Sequence, residues 1–476
     1  MGSALELNEH NFHEVTVDAR RLLFHIPSSS LFEADANSSA VIAELRRGAS
    51  PSEAELGQRL AGRLDGSQLN GVLCDLQSLD IVTRDNSGSV AVFPTVGALP
   101  LTTVVLNVNT GCNLSCTYCY KEDLAVPSAG EKMGLDTAVA SIEMLLRQSP
   151  DQAAYNIVFF GGEPLSNIAL IRQVVDFAEQ RFKAAGKRVN FSLTTNATLL
   201  NEKTIDYLDS HRFGIAVSID GPKAIHDRNR ITIGGQGSYE TVARKVGLLL
   251  SRYRSRPVGA RVTLTRGVTD VKAIWHHLYN ELGFAEVGFA PVTAGDLDDF
   301  NLGDEELVAV FAAMKELGRH YVEEALQHRS IGFSNLHQLL TDIHEGSKKA
   351  LPCGAGYSMV AVDKDGGVNL CHRFTGSELP TFGTVQAGLD VPALEDFLNR
   401  RLDRTDTGCA TCRIRNLCSG GCYHESYQRY NDPAHPVYHY CDLMRDWVDF
   451  GIEAYARISR DNPRFFADYI STRRVS

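Results

Sequence analysis

The rhythm of apolar and polar residues changes three times along the chain. Near the N-terminus two short runs at strand spacing, 12–17 and 22–26, end in the turn sequence Pro27-Ser28-Ser29-Ser30. Three amphipathic patterns at helical spacing follow, around 38–46, 51–63 and 67–78, and Ile81-Val82-Thr83-Arg84 returns to strand character. Ser50-Pro51-Ser52-Glu53 predicts the start of the middle helix, with proline at its first helical position. From Leu101 the pattern becomes regular. Apolar strands are predicted at 102–108, 155–160, 189–194, 213–219, 258–264 and 285–290, separated by helices at 135–148, 167–184, 201–210, 238–252 and 270–281. Continuous Val/Ile/Phe strands alternating with amphipathic helices predict an α/β fold with a parallel, helix-covered sheet. Six such repeats predict a partial (β/α)6 TIM-like barrel, whose site belongs at the C-terminal strand ends. Beyond it, 304–327 and 335–345 read as helices, and 361–368 reads as a hairpin that places Cys371 on its returning strand. The chain therefore divides into an N-terminal module (1–92), a barrel (100–302), a helical bridge (303–350), a cysteine-rich region (351–445) and a tail (446–476). The tail reads as a long helix from Trp447, followed by Pro463-Arg464-Phe465-Phe466, packed on the open side of the barrel.

Composition narrows the function classes. Hydrophobic residues make up 43% and charged residues 22% of the chain, as in ordinary globular proteins. No apolar run has the length of a membrane span, and Met1 to Val15 lacks a signal pattern, so a cytoplasmic protein with no membrane partner is expected. A net charge of −11 argues against a nucleic-acid partner. The N-terminal module resembles a winged helix, yet none of its helices carries a basic face except for the isolated Arg46-Arg47. The resemblance implies a peptide-recognition element that captures its substrate as an added edge strand; the alternative is a plain cap on the barrel. Asp85-Asn86-Ser87-Gly88-Ser89 reads as a turn or linker.

The eleven cysteines are distributed unevenly. Cys112, Cys116 and Cys119 stand in a C-x3-C-x2-C spacing directly after the first barrel strand, within Asn109 to Glu122. Seven more fall between Cys353 and Cys441, and only Cys74 stands alone. In a chain with no export signal such clusters point to metal rather than disulfides. Three thiolates on one loop can hold three corners of a cubane iron–sulfur cluster and leave the fourth iron open; three thiolates around zinc are the alternative. The next strand end carries Gly161-Gly162-Glu163-Pro164, where glycines permit close backbone approach and free carbonyls can accept from an amine. Thr194-Thr195-Asn196 and Ser218-Ile219-Asp220-Gly221-Pro222 follow at the third and fourth strand ends, with small polar groups suited to ribose hydroxyls. His226-Asp227-Arg228-Asn229-Arg230 adds guanidiniums able to pair a carboxylate in fork geometry. Each alone reads equally well as a polar loop or a cap.

Together, the cysteine loop and the following Gly-Gly-Glu-Pro resemble the radical S-adenosylmethionine superfamily. The resemblance implies a [4Fe-4S] cluster on Cys112, Cys116 and Cys119, with the amine and carboxylate of S-adenosylmethionine (SAM) on the open iron. Its cofactor contacts would be Tyr118 beside the adenine, Gly161, Gly162 and Glu163 at the amine, and Asn196, Ser218 and Arg230. It also implies reductive cleavage to a 5′-deoxyadenosyl radical, with an electron donor such as flavodoxin or ferredoxin. The spacing over 351–445 is similar to the SPASM domain of peptide-modifying radical enzymes. That resemblance implies an outer auxiliary cluster on Cys409, Cys412, Cys418 and Cys441, and an inner one on Cys353, Cys371 and Cys422. Three [4Fe-4S] clusters result in all.

Seven thiolates are one short of two four-ligand sets, so the inner cluster is expected to keep an open iron unless Cys74 or a non-cysteine ligand reaches it. A substrate thiolate bound there would be lowered in pKa and fixed in place. Carbon–sulfur bond formation to the carbon radical then passes one electron to the cluster and leaves a thioether. The substrate class is thus a ribosomally made peptide or small protein subunit. The opening from Leu23 to Phe32 is similar to the family that matures the small subunit of quinohemoprotein amine dehydrogenase, linking Cys sulfur to Asp or Glu side-chain carbons. It is similar also to maturases of cysteine-rich SCIFF-type peptides. Dehydrogenation, epimerisation and a zinc-stabilised peptide-binding protein are the other readings. For acid/base work the candidates are Asp403, chosen first, Asp406 and His372; a solvated acidic face is the plainer role for each carboxylate.

Overall fold

Apolar residues alternate along the first strands because the N-terminal sheet is sandwiched between two cores. The computed structural model describes residues 4–48, 50–84, 96, 99–120, 130–293, 299–436 and 439–470, with the side chain of Asp406 left aside. Strand β1 (Glu6–Leu7) precedes a three-stranded antiparallel meander of β2 (Phe12–Val17), β3 (Arg20–His25) and β4 (Ser30–Glu33). Val15, Val17, Leu22 and Phe24 face the large core of the molecule, whereas Phe12 and Leu23 face a smaller core under α1 (Ala36–Arg46), α2 (Glu53–Arg59) and α3 (Gly66–Ser78). Strand β5 (Val82–Thr83) pairs with β1. The expected turn after residue 26 leads into β4, a strand the sequence does not announce. All three helices start on side-chain caps, Asp35, Ser52 and Asp65, so Pro51 lies one residue before the cap and not at the first helical position. The expected linker at Asp85 to Ser89 lies outside the described residues.

The barrel strands form where the apolar runs predicted them: β6 (Thr103–Asn109), β7 (Ala154–Gly161), β8 (Arg188–Thr195), β9 (Gly214–Ser218), β10 (Val258–Leu264) and β11 (Glu286–Pro291). They lie side by side in sequence order, all parallel. The connecting helices are α4 (Leu135–Gln148), α5 (Ile168–Ala184), α6 (Glu202–Ser210), α7 (Lys223–Asn229), α8 (Tyr239–Arg252) and α9 (Val271–His276), the last continuing as a π-helical turn over His277–Glu281. Of these only α7 was not predicted.

Two long helices, α10 (Asp304–Leu326) and α11 (Ser334–His344), cover the β11 edge. At the opposite edge β12 (Met359–Val362) pairs in parallel with β6, and β13 (Val368–Asn369) pairs antiparallel with β12. The predicted hairpin therefore extends the barrel sheet to eight strands. Cys371 lies two residues beyond β13 instead of on it, because the returning strand is only two residues long. The small pair β14 (Gly383–Thr384) and β15 (Gly388–Leu389) leads to α12 (Val391–Leu402) and α13 (Tyr423–Tyr430). The C-terminal helix α14 (Cys441–Asp461) starts at Cys441 itself and is followed by α15 (Arg464–Tyr469). It packs on α10, α11 and β2, so the bridge helices lie between most of the tail and the β11 edge. Among the described residues no helix is long and apolar enough to cross a membrane.

Candidate active site

The cysteine loop is fixed by backbone contacts on both sides. A bulge shifts the β6–β7 register between Asn107 and Asn109, where the chain leaves the sheet. Asn109 Nδ2 donates to Gly111 O at 2.7 Å and to Ser166 Oγ at 2.6 Å. Gly162 N donates to Asn109 O at 2.8 Å and Glu163 N to Gly111 O at 3.1 Å. The approach is so close that a Cβ on Gly162 would stand 2.1 Å from Gly111 O, and one on Gly161, whose φ is 148°, 2.3 Å from Asn109 O. The two glycines are thus required by the backbone of the cysteine loop, in addition to bordering the cavity beside it. On the other side Ser115 N donates to Ile231 O at 2.8 Å and Thr117 N to Asn229 O at 3.0 Å.

One cavity opens at the C-terminal ends of the six parallel strands. Cys112, Cys116, Cys119, Tyr118, Gly161, Gly162, Asn196, Ser218 and Arg230 all border it, so the structure brings nearly the whole predicted set together. Glu163 is the exception. It is fully buried behind the cavity, where its carboxylate accepts from Leu165 N at 3.0 Å, Thr195 Oγ1 at 2.7 Å and Asn196 N at 2.8 Å, bracing β7 against β8. Burial pushes it up to about 7. The fork predicted for the guanidiniums exists, but its carboxylate comes from the protein. Arg230 Nε and Nη2 donate to Asp220 Oδ2 and Oδ1 at 2.9 and 3.1 Å, and the Tyr118 hydroxyl donates to Asp220 Oδ2 at 2.7 Å. The Arg230 guanidinium stands 5.5 Å from the centre of the Tyr118 ring. Thr263 N donates to Asp220 Oδ1, and the buried His226 links Asp220 N to Ser238 Oγ.

The thiols suit a cationic metal group. Burial pushes Cys112 up to about 12 and Cys116 to about 11, so as free thiols both stay protonated at neutral pH and ionise only against nearby positive charge. Asn196 Nδ2 lies 3.7 Å from Cys112 Sγ, and Leu114 N donates to the same sulfur at 3.4 Å. Among the described residues no three Cys, His, Asp or Glu side chains gather tightly enough for one metal ion.

The C-terminal cysteines separate into two groups. Cys409, Cys412, Cys418 and Cys441 border a second cavity, together with Arg404, Arg415 and Arg445. Cys371 is buried and pushed up to about 12, first by burial and further by the charges of Cys422 and Cys353. Cys353 and Cys422 are exposed, as is Cys74 on α3. Asp403 borders neither cavity. It caps the end of α12, exposed, and accepts from Thr405 Oγ1 at 2.7 Å. Asp406 falls in a short 3-10 turn, Thr405–Thr407.

Several cavity residues were not singled out from the sequence as part of the first site. Phe160 and Tyr120 border it beside Arg373, which bonds Thr293 Oγ1 and lies 4.7 Å over the Tyr120 ring. The His372 ring stands 4.0 Å from Phe160 and 6.5 Å from Tyr120, whose ring in turn lies 5.5 Å from His424. These aromatics join the barrel cavity to the neighbourhood of Cys371 and Cys422. No local motif marks them, although Tyr120 and His372 each adjoin a cysteine.

A barrel of parallel strands with a tri-cysteine loop at its first strand end and a cavity shared with the next five defines a class. Residues 106–276 match the radical SAM superfamily. The class implies a [4Fe-4S] cluster and SAM. With the cysteine-type anaerobic sulfatase-maturating enzyme of Clostridium perfringens the chain is 22% identical over 367 residues, 74% of this chain and 96% of that enzyme. With its counterpart in Clostridium novyi it is 27% identical over 157 residues, 32% of this chain and 41% of that enzyme. With the radical SAM cyclopropyl synthase TigE of Paramaledivibacter caminithermalis it is 22% identical over 361 residues, 72% of each chain. The fold is similar to the structure of native anSMEcpe with bound AdoMet, at TM-score 0.65 and 20% identity, covering 76% of this chain and all of that one.

Proposed function

We propose that the protein is a radical SAM maturase that forms intra-peptidyl thioether cross-links in a peptide or small protein subunit. Cys112, Cys116 and Cys119 hold the radical-generating cluster. Cys409, Cys412, Cys418 and Cys441 hold the outer auxiliary cluster, and Cys353, Cys371 and Cys422 the inner one. The bound cluster and SAM supply a 5′-deoxyadenosyl radical that removes a hydrogen atom from a substrate carbon. The chain's own part is to hold and orient. Gly161 and Gly162 border the space for the methionine end of SAM, and Tyr118, Asn196 and Ser218 border that for the nucleoside. Arg230 is held by Asp220, while Glu163 braces the strand ends from behind. Its buried carboxylate serves the scaffold, and Asp403, exposed and away from both cavities, is given no acid/base role.

The observation that carries the sulfur chemistry is the division of the C-terminal cysteines into four around one cavity and three outside it, two of the three exposed. A set of three leaves room for a substrate cysteine as the fourth donor, and the aromatics around Tyr120 and His372 connect that place to the barrel cavity. Each cross-link joins one sulfur to one carbon, so the peptide loses two hydrogens, one from the thiol and one from the carbon. A second reading, maturation of a sulfatase, is favoured by the alignment that spans 96% of the Clostridium perfringens enzyme. Co-expression with a cysteine-containing peptide encoded beside this gene, followed by alkylation and mass spectrometry, separates them. Thioether formation predicts a loss of two hydrogens per bond and one alkylation fewer for each. A modified peptide that keeps all its reactive thiols overturns the proposal.

A further inference from the structure

The loop between Cys412 and Cys418 touches two parts of the molecule at once. Toward the N-terminal module, Arg415 Nη1 donates to His10 O at 2.6 Å and Nη2 to Asn11 Oδ1 at 3.3 Å, while Asn416 Nδ2 donates to Ile26 O at 2.5 Å. Arg413 Nη2 bonds Asp449 Oδ2 at 2.7 Å, and the other oxygen of Asp449 meets His13 Nε2 at 3.0 Å. Toward the C-terminal region, Arg415 borders the cavity of Cys409, Cys412, Cys418 and Cys441, and its Nη1 also approaches Cys412 O at 3.4 Å. The side chain is only 2% exposed, and its Nε is buried with no hydrogen-bond partner. Among the described residues no carboxylate pairs with it. A buried guanidinium without a counter-charge is costly.

We propose that Arg415 is a positioning residue that supplies counter-charge to the outer iron–sulfur group and couples that group's reduction potential to the docking of the N-terminal module. Four thiolates around an iron–sulfur cluster make a net anion, and reduction adds a further negative charge. A cation at the wall of the cavity therefore favours the reduced form and raises the potential. The same guanidinium is held by His10 and Asn11, so displacement of the module repositions it. Linkage makes the effect reciprocal: loading the cavity tightens the module, and moving the module shifts the potential. The inference rests on the four-cysteine cavity holding a cluster, as proposed above.

The test uses the full chain, anaerobically reconstituted, with Cys112→Ala, Cys116→Ala and Cys119→Ala combined so that only the auxiliary groups remain. Iron near 8 per chain establishes that both are present, if each has four irons; iron near 4, with no signal assigned to the outer group, sinks the underlying reading together with the inference. With both present, Arg415→Gln is expected to lower the reduced-to-oxidised ratio of the outer group about tenfold at the unsubstituted midpoint, a shift of about 59 mV for a one-electron couple, followed by EPR. Arg415→Lys should recover part of it. Hydrogen exchange over β2 and β3 should accelerate in Arg415→Gln and in iron-stripped protein. Asn11→Ala, which lies outside the cavity, should shift the midpoint in the same direction by less. An unchanged midpoint in both Arg415→Gln and Asn11→Ala, whatever the exchange does, reduces Arg415 to a packing role and overturns the inference. If Arg415→Gln does not fold, an unchanged midpoint in Asn11→Ala alone does so.

Discussion

The two cysteine-lined cavities handle buried positive charge in opposite ways. In the barrel, Arg230 is 7% exposed and forked onto Asp220, itself 2% exposed, so the charge is neutralised within the protein. In the C-terminal region Arg401, fully buried, donates among the described residues to the backbone carbonyls of Ala434, His435, Ser419, Gly420 and Gly421. Arg404 bonds the carbonyls of Cys418, Ala350 and Ser419, and Arg415 behaves likewise toward His10 and Cys412. Carbonyl oxygens orient a guanidinium but carry no formal charge. At Arg230 the charge is therefore balanced within the protein, while Arg373 on the same wall bonds Thr293 Oγ1 and lies over the Tyr120 ring. On the wall of the C-terminal cavity Arg445 is paired with Asp442, whereas Arg415 meets only uncharged acceptors among the described residues, so its charge is the one a cluster with four thiolates would balance.

This contrast predicts different responses to loss of iron. Stripping iron under reducing conditions should destabilise the region around α12, α13 and the start of α14 by roughly 3–5 kcal/mol, since the buried Arg415 loses its counter-charge. The barrel strands should lose much less, and hydrogen exchange resolved by segment reports both. The opposite experiment is Asp220→Ala, which leaves Arg230 buried and unpaired. It should cost about 3–5 kcal/mol with or without iron, seen in denaturant melts of both forms. A third lever is pH. Burial, with Arg230 adding to it, pushes His226 down to about 4 from its ordinary 6.5. Between those values the unfolded chain takes up a proton that the folded barrel refuses. The contribution is thus full above pH 6.5 and is lost as pH falls toward 4, amounting to about 3 kcal/mol. Denaturation of wild type and His226→Gln at pH 7 and at pH 4.5 should show the difference as a smaller pH dependence in the variant.

How much of this is legible in the sequence depends on how local the cause is. The six barrel strands follow from continuous apolar runs, and their ends carry the cavity because parallel βα repeats share one polarity. The tri-cysteine loop and the Gly-Gly pair are equally local, since spacing alone brings them to adjacent strand ends. What could not be read depends on partners distant in the chain. Strand β12 finds β6 across about 250 residues with nothing in Met359–Val362 to name its neighbour. Nearer partners mislead as well: Arg230 reads as a ligand for a bound carboxylate until Asp220, ten residues before it, occupies it, and Glu163 reads as part of the cofactor wall until Leu165 N, Thr195 Oγ1 and Asn196 N enclose it. Asp403 drew attention by preceding Cys409, whereas Arg401 and Arg404, either side of it, are the side chains that turn inward. Cysteine ligands announce themselves by type and spacing; the charges that balance them are visible only once the fold has chosen their surroundings.

The central claim is that one chain carries three iron–sulfur groups, one in the barrel cavity and two in the C-terminal region. Anaerobic purification followed by iron and sulfide analysis tests it most directly. The account predicts about 12 iron and about 12 sulfide per chain, falling by about 4 of each when Cys112, Cys116 and Cys119 are replaced by alanine. A value near 4 that vanishes in that variant, or zinc in place of iron, would contradict it.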